Sequence, residues 1–129
     1  MIVGIGVDLV AIERIRQLVE RHGERARRRL FTARELRECD ERVDAAECLA
    51  ARFAAKEAML KALGTGKTPD ARWTDIEVVR NDDGRPELVL SGRVRAQADQ
   101  LGAGSQPWVS LTHESGLASA VVVLEAIEE

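Results

Sequence analysis

The sequence predicts an α+β fold: one domain in which helices pack on one face of a small, mostly antiparallel sheet. Three observations support this. The chain opens on a β-branched stretch, keeps helical periodicity through most of its first half, and in its second half alternates short β-branched runs with glycine-rich turns. A length of 129 residues suits a single domain over residues 1–129 with one modest core. Hydrophobic residues make up 45% of the chain but aromatics only 3%, so aliphatic and alanine packing must build that core.

The opening stretch, Met1 to Val10, reads as a strand with Val3, Ile5, Val7 and Leu9 on one face and Gly4, Gly6 and Asp8 on the other. Glycine in a strand marks close approach by another group, so a carboxylate on that bare face requires a partner. Residues 11–31 read as a helix. Ile12, Ile15, Val19, Ala26 and Leu30 form its apolar face, and seven arginines stand against three glutamates. Arg14, Arg21, Arg25 and Arg28 cluster opposite, with Gly23 placed to bend the helix and shift the last two relative to the first two. A charge run of this kind is ordinarily a solvated face. Residues 32–44 read as a helix opened by Thr32, with Glu35 completing a capping-box pattern, and a loop over residues 43–45 leads into the next helix.

That helix is the chemical centre of the sequence. Arg52-Phe53-Ala54-Ala55-Lys56-Glu57-Ala58-Met59-Leu60-Lys61-Ala62-Leu63 consists of strong helix formers and stops at Gly64-Thr65-Gly66. At roughly 100° per residue, Glu57 and Lys61 fall with Ala50 and Phe53 at the border of the buried face. The ordinary reading of Glu57 and Lys61 is a surface ion pair. Residues 64–72 read as an irregular loop. Residues 75–80 and 87–90 read as a hairpin about Asn81-Asp82-Asp83-Gly84. Val94, Ala98 and Leu101 space a further helix, and residues 109–112 and 118–124 give two last strands joined at Glu114-Ser115-Gly116. His113 at a strand end reads by itself as a turn residue. His22 reads as structural, and Trp73 and Trp108 as packing anchors.

Cys39 and Cys48 lack metal-ligand spacing and are expected as reduced thiols. No apolar run approaches a membrane span and no cationic leader precedes a cleavage site, so a cytoplasmic location without membrane contact is expected. The net charge of −3 disfavours a nucleic-acid partner.

Several of these segments together carry a resemblance. Gly4-Ile5-Gly6-Val7-Asp8-Leu9-Val10 with Arg14, the stretch from Arg52 to Gly66, Trp73-Thr74-Asp75-Ile76-Glu77-Val78, Gly84-Arg85-Pro86, Val109-Ser110-Leu111-Thr112-His113 and Ala118-Ser119-Ala120-Val121-Val122 occur in this order. The chain thereby resembles the small bacterial holo-(acyl-carrier-protein) synthases, the short branch of the phosphopantetheinyl transferases. The resemblance implies a single copy of that fold and a homotrimer with active sites at subunit boundaries. It implies transfer of 4′-phosphopantetheine from coenzyme A to a serine of apo acyl carrier protein, with release of adenosine 3′,5′-bisphosphate, in fatty acid biosynthesis.

The resemblance further assigns magnesium, with manganese an alternative, to Asp8 and Glu57, and a catalytic role to these two and Lys61. Coenzyme A contacts fall to Arg52, Lys61, Gly64, Thr65, Gly66, Arg85, Pro86, Thr112 and His113, and carrier docking to Arg14, Arg21, Arg25 and Arg28. The proton acceptor is left open between Glu57 and a water on the metal. Three other readings remain: a non-catalytic carrier-binding module, a small nucleotide-binding protein, and a transferase serving a polyketide carrier.

Overall fold

The computed structural model describes residues 1–104 and 106–126. Strand β1 (Ile2–Ala11) runs directly into α1 (Ile12–Leu30), and α2 (Ala33–Asp40) and α3 (Ala45–Leu63) follow. A single 3-10 turn (Trp73–Asp75) leads to β2 (Ile76–Arg80), β3 (Pro86–Leu90), α4 (Gly92–Gln100), β4 (Trp108–Glu114) and β5 (Leu117–Glu125). The α+β class is as expected. The strands divide into two antiparallel sheets: β1-β5-β4, and the hairpin β2-β3.

Helix α3 lies at the centre because its sequence is apolar almost all round; thirteen of its residues are buried, from Leu49 to Leu63. Its N-cap is Asp44, whose side chain accepts from the Glu47 amide. Asp44 therefore belongs to α3, and α2 ends at Asp40 instead of reaching residue 44. The capping box of Thr32 and Glu35 forms as the spacing predicts. At the other end of α3, Gly64 adopts a left-handed conformation with φ of 81°. Leu101 falls just beyond α4 and is exposed, so it does not extend that helix's apolar face.

In the larger sheet the faces of β1 are the reverse of a simple apolar-inward pattern. Gly4, Gly6 and Asp8 face α3, while Ile5, Val7 and Leu9 point away from it and are exposed. Pairing continues that outer face in rows: Ile5 with Val123 and Trp108, Val7 with Val121 and Ser110, Leu9 with Ser119 and Thr112. Trp108 is 57% exposed on this face and is no internal anchor; Trp73 does pack, its ring centroid 4.9 Å from that of Phe53.

Two further features depart from expectation. Cys39 on α2 and Cys48 on α3 form a disulfide, with Cα atoms 5.4 Å apart, because the short connection folds the two helices back on each other. Spacing alone conceals this contact. Lys56, Glu35 and Arg52 are buried together. Lys56 Nζ donates to Glu35 Oε1 at 2.7 Å and to the carbonyls of Ile76 and Trp73, and the Val78 amide donates to Glu35 Oε2. Arg52 Nη1 donates to the Val78 carbonyl. These ions pin β2 against α2 and α3; burial pushes the pKa of the Lys56 ammonium down, and the Glu35 charge opposes that shift. No helix among the described residues is long and apolar enough to cross a membrane.

Candidate active site

Asp8 reaches α3 because the two preceding glycines on its face let the strand lie against helix backbone. A Cβ on Gly6 would stand 1.8 Å from the Ala58 carbonyl oxygen, and one on Gly4 would stand 2.1 Å from that of Ala62. With the backbones so close, Asp8 meets Glu57 and Lys61, whose side chains leave α3 one turn apart. The expected intrahelical ion pair gives way to one across elements. Lys61 Nζ donates to Asp8 Oδ1 at 3.0 Å and to the Val7 carbonyl at 3.1 Å, while remaining half-exposed.

The pair of carboxylates is electrostatically unfinished. Asp8 is 7% exposed, and its Oδ2 is buried with no hydrogen-bond partner. Desolvation first, and then the neighbouring Asp8, raise the Glu57 pKa from 4.5 to about 7, with Arg14 and Lys61 partly opposing the rise. An orphaned carboxylate oxygen beside a half-buried acid fits a divalent cation with oxygen preference. Among the described residues no cluster of three or more His, Cys, Asp or Glu side chains forms, so the remaining ligands would come from substrate and water.

The other expected coenzyme A contacts lie on both sides of this pair. Gly64, Thr65 and Gly66 follow the C-terminus of α3. The Gly64 and Gly66 amides are already given to the Lys61 and Leu60 carbonyls, so those two positions supply space and no free amide donors. His113 lies toward the opposite end, its Nε2 3.4 Å from Glu47 Oε1. Glu47 precedes Glu57 by ten residues. At 1.5 Å per residue that is about 15 Å along α3. Arg52 lines the same cleft as His113, together with Arg42 and Arg80, but its guanidinium is almost wholly buried against Val78 and Glu38. Arg80 was not marked by any motif. Arg85 and Pro86 stand where the β2-β3 hairpin begins its return, Pro86 paired with Arg80. Thr112 is separated from His113 by strand alternation and lies on the outer face beside Ser119 and Leu9.

The kink expected at Gly23 is present, with φ of 57° and ψ of −140°. Arg14 and Arg21 share a shallow groove with Leu18 and His22, and Arg25 lines the adjoining groove, again with Leu18 and His22. Arg28 turns aside to Glu24 and borders a different groove. His22 is exposed between Arg21 and Arg25, not structural as its sequence context suggests. Since Arg14 also acts on Glu57, the basic face of α1 runs up to the carboxylate pair.

A basic helix thus stands beside an acidic pair carried by a glycine-faced strand and a central helix. Residues 4–117 match the family model of the 4′-phosphopantetheinyl transferase superfamily, and the chain belongs to that superfamily. Within it the kinship is with the holo-[acyl-carrier-protein] synthases. The synthase of Acidithiobacillus ferrooxidans is 48% identical over 126 residues, covering 97% of this chain and 98% of that protein. That of Alkalilimnicola ehrlichii is 49% identical over 127 residues, covering 98% of each. The crystal structure of the Neisseria meningitidis synthase has a TM-score of 0.87 at 34% identity, covering 97% of this chain and 99% of that one. The Helicobacter pylori synthase, solved in complex with coenzyme A, has a TM-score of 0.81 at 30% identity, covering 94% of this chain and 99% of that one.

Proposed function

We propose that this protein transfers 4′-phosphopantetheine from coenzyme A to a serine of apo acyl carrier protein, releasing adenosine 3′,5′-bisphosphate, and that magnesium at Asp8 and Glu57 is required. The observation that carries the reading is the Asp8–Glu57 pair with its orphaned oxygen, placed where the basic face of α1 ends. Bound magnesium would supply positive charge to the pyrophosphate, the kind of stabilisation phosphoryl transfer needs. Lys61 is half-exposed and held by Asp8, so its ammonium is oriented toward the same phosphates and stabilises the departing bisphosphate. The serine hydroxyl gives its proton to Glu57 or to water, and its oxygen forms the new bond to phosphorus as the bond to the leaving phosphate breaks.

The docking face is Arg14, Arg21 and Arg25, with Arg28 turned to Glu24 and bordering a different groove. An acidic helix of the carrier would be steered to it, and salt would weaken the encounter. Arg14→Glu is expected to raise the carrier KM tenfold or more while shifting coenzyme A affinity less than about threefold. Steady-state kinetics with each substrate varied separately checks this, and equal damage to both would remove the docking assignment.

A homotrimer completes the site. The coenzyme A contacts fall into two groups about 15 Å apart along α3, so a second chain's His113 side would face the first chain's carboxylates. The exposed outer face of Ile5, Val7, Leu9 and Trp108 supplies an apolar surface for that association. The protein acts in the cytoplasm on a fatty-acid carrier.

The deciding experiment is intact-protein mass spectrometry of an apo fatty-acid carrier protein incubated with this protein and coenzyme A, with magnesium and with chelator. One phosphopantetheine added with metal and none with chelator is the expected result. No addition to this carrier or to an apo polyketide carrier would overturn the proposed activity.

A further inference from the structure

We infer that the Cys39–Cys48 disulfide is a thiol-responsive clamp on one wall of the His113 cleft, with Cys48 the sulfur open to attack. Its link to coenzyme A rests on the activity proposed above. The connection between the two cysteines carries Arg42, Val43 and Asp44, and all three line the cleft together with Cys48 itself, Arg80 and His113. The bond thus ties together the two ends of the segment that forms this wall. Val43 at the middle of the segment is fully exposed, so little else packs against its tip.

The two sulfurs are not equivalent. Cys39 is 0% exposed and belongs to the core, whereas Cys48 is partly exposed on the cleft. A thiolate entering from the cleft therefore meets Cys48, and not the core-buried Cys39. The attacking sulfur bonds to Cys48 Sγ and expels Cys39 as thiolate. With a dithiol reductant, its second thiolate then attacks the first sulfur, releasing Cys48 thiolate and a cyclic disulfide. Two electrons pass from the dithiol to the bridge, and its two protons end on the cysteine sulfurs.

Opening the bridge leaves the fold in place, because other contacts hold the same helices. Arg16 bonds Asp44 at 3.3 Å, Arg27 bonds Asp40 at 2.6 Å, and Asp44 caps α3. The change is confined to the freedom of the wall that presents Arg42, and so to binding in the cleft. The carboxylate pair, about 15 Å away along α3, is untouched.

The test compares the full chain before and after dithiothreitol, with Cys48→Ser as the permanently open form. Alkylation with iodoacetamide before reduction is expected to label neither cysteine, and after reduction both. Opening is expected to raise the KM for coenzyme A about three- to tenfold with kcat within about twofold, and Cys48→Ser to show the raised KM with or without reductant. Two thiols labelled before reduction, or a KM indifferent to reduction, overturns the inference. If the chain transfers nothing in either state, the proposed activity fails. Coenzyme A affinity by titration calorimetry then decides the clamp by the same comparison.

Discussion

Replacing Glu57 by Gln is expected to reduce transfer about a thousandfold or more while making the metal-free protein more stable. The two effects come from one arrangement. Burial first, and then the hydrogen bond with Asp8 and its charge, make Glu57 keep its proton up to about pH 7 in place of 4.5, with Arg14 and Lys61 only partly opposing this. The folded chain therefore binds more protons than the unfolded chain between those values, so stability falls as pH rises through this window. The penalty is complete above about pH 7 and absent below about 4.5. For a half-buried group screened by solvent the penalty is about 1–2 kcal/mol. Gln keeps the shape and removes the charge. Thermal unfolding in chelator is expected to show E57Q more stable at pH 8 and level with the parent at pH 4. Unchanged transfer in E57Q would remove the metal site from these residues.

Gly6→Ala is expected to cost about 3–5 kcal/mol, enough to unfold much of the population of a small domain. The new Cβ would meet the Ala58 carbonyl oxygen at 1.8 Å and the Ala62 nitrogen at 2.7 Å, both backbone atoms of a helix that is buried on nearly every side. Neither can rotate away, so β1 would have to lift off α3 and carry Asp8 with it. Urea denaturation measures the loss, and Gly104→Ala serves as control, since its Cβ would meet nothing within 4 Å. A stability loss in G6A no larger than the control's would mean that the strand does not depend on this close approach.

How much of this was legible in the sequence differs by element. The glycine-faced strand was readable because periods of two are unambiguous over ten residues, and the central helix because its propensities agree with its glycine stop. Glu57 and Lys61 were marked at the border of the buried face and Asp8 as a carboxylate requiring a partner, yet the ion pair between Lys61 and Asp8 was not. An i,i+4 neighbour is visible in a sequence, whereas Asp8 lies 53 positions away. Burial of Lys56 and Glu35 escaped for the same reason, although a lysine with Phe53, Met59 and Leu60 three or four positions away on a helix that is apolar almost all round was a usable signal. The disulfide required knowing how sharply residues 41–44 turn. The splitting of Thr112 from His113 needed nothing beyond strand alternation.

The pairing of β1 with β5 has a consequence for how the molecule comes into being. Ile2 lies opposite Glu125, and among the described strands β1 has no neighbour in the sheet except β5. The strand bearing Asp8 thus gains its place in the sheet only when β5, more than a hundred residues further along the chain, is there to pair with it. Contacts of such long sequence separation are late and slow to form. The helices assemble from nearer contacts, whereas the sheet that holds the Asp8 strand at its edge closes late. A chain lacking β5 would carry every residue of the basic face and leave β1 without a neighbour in the sheet.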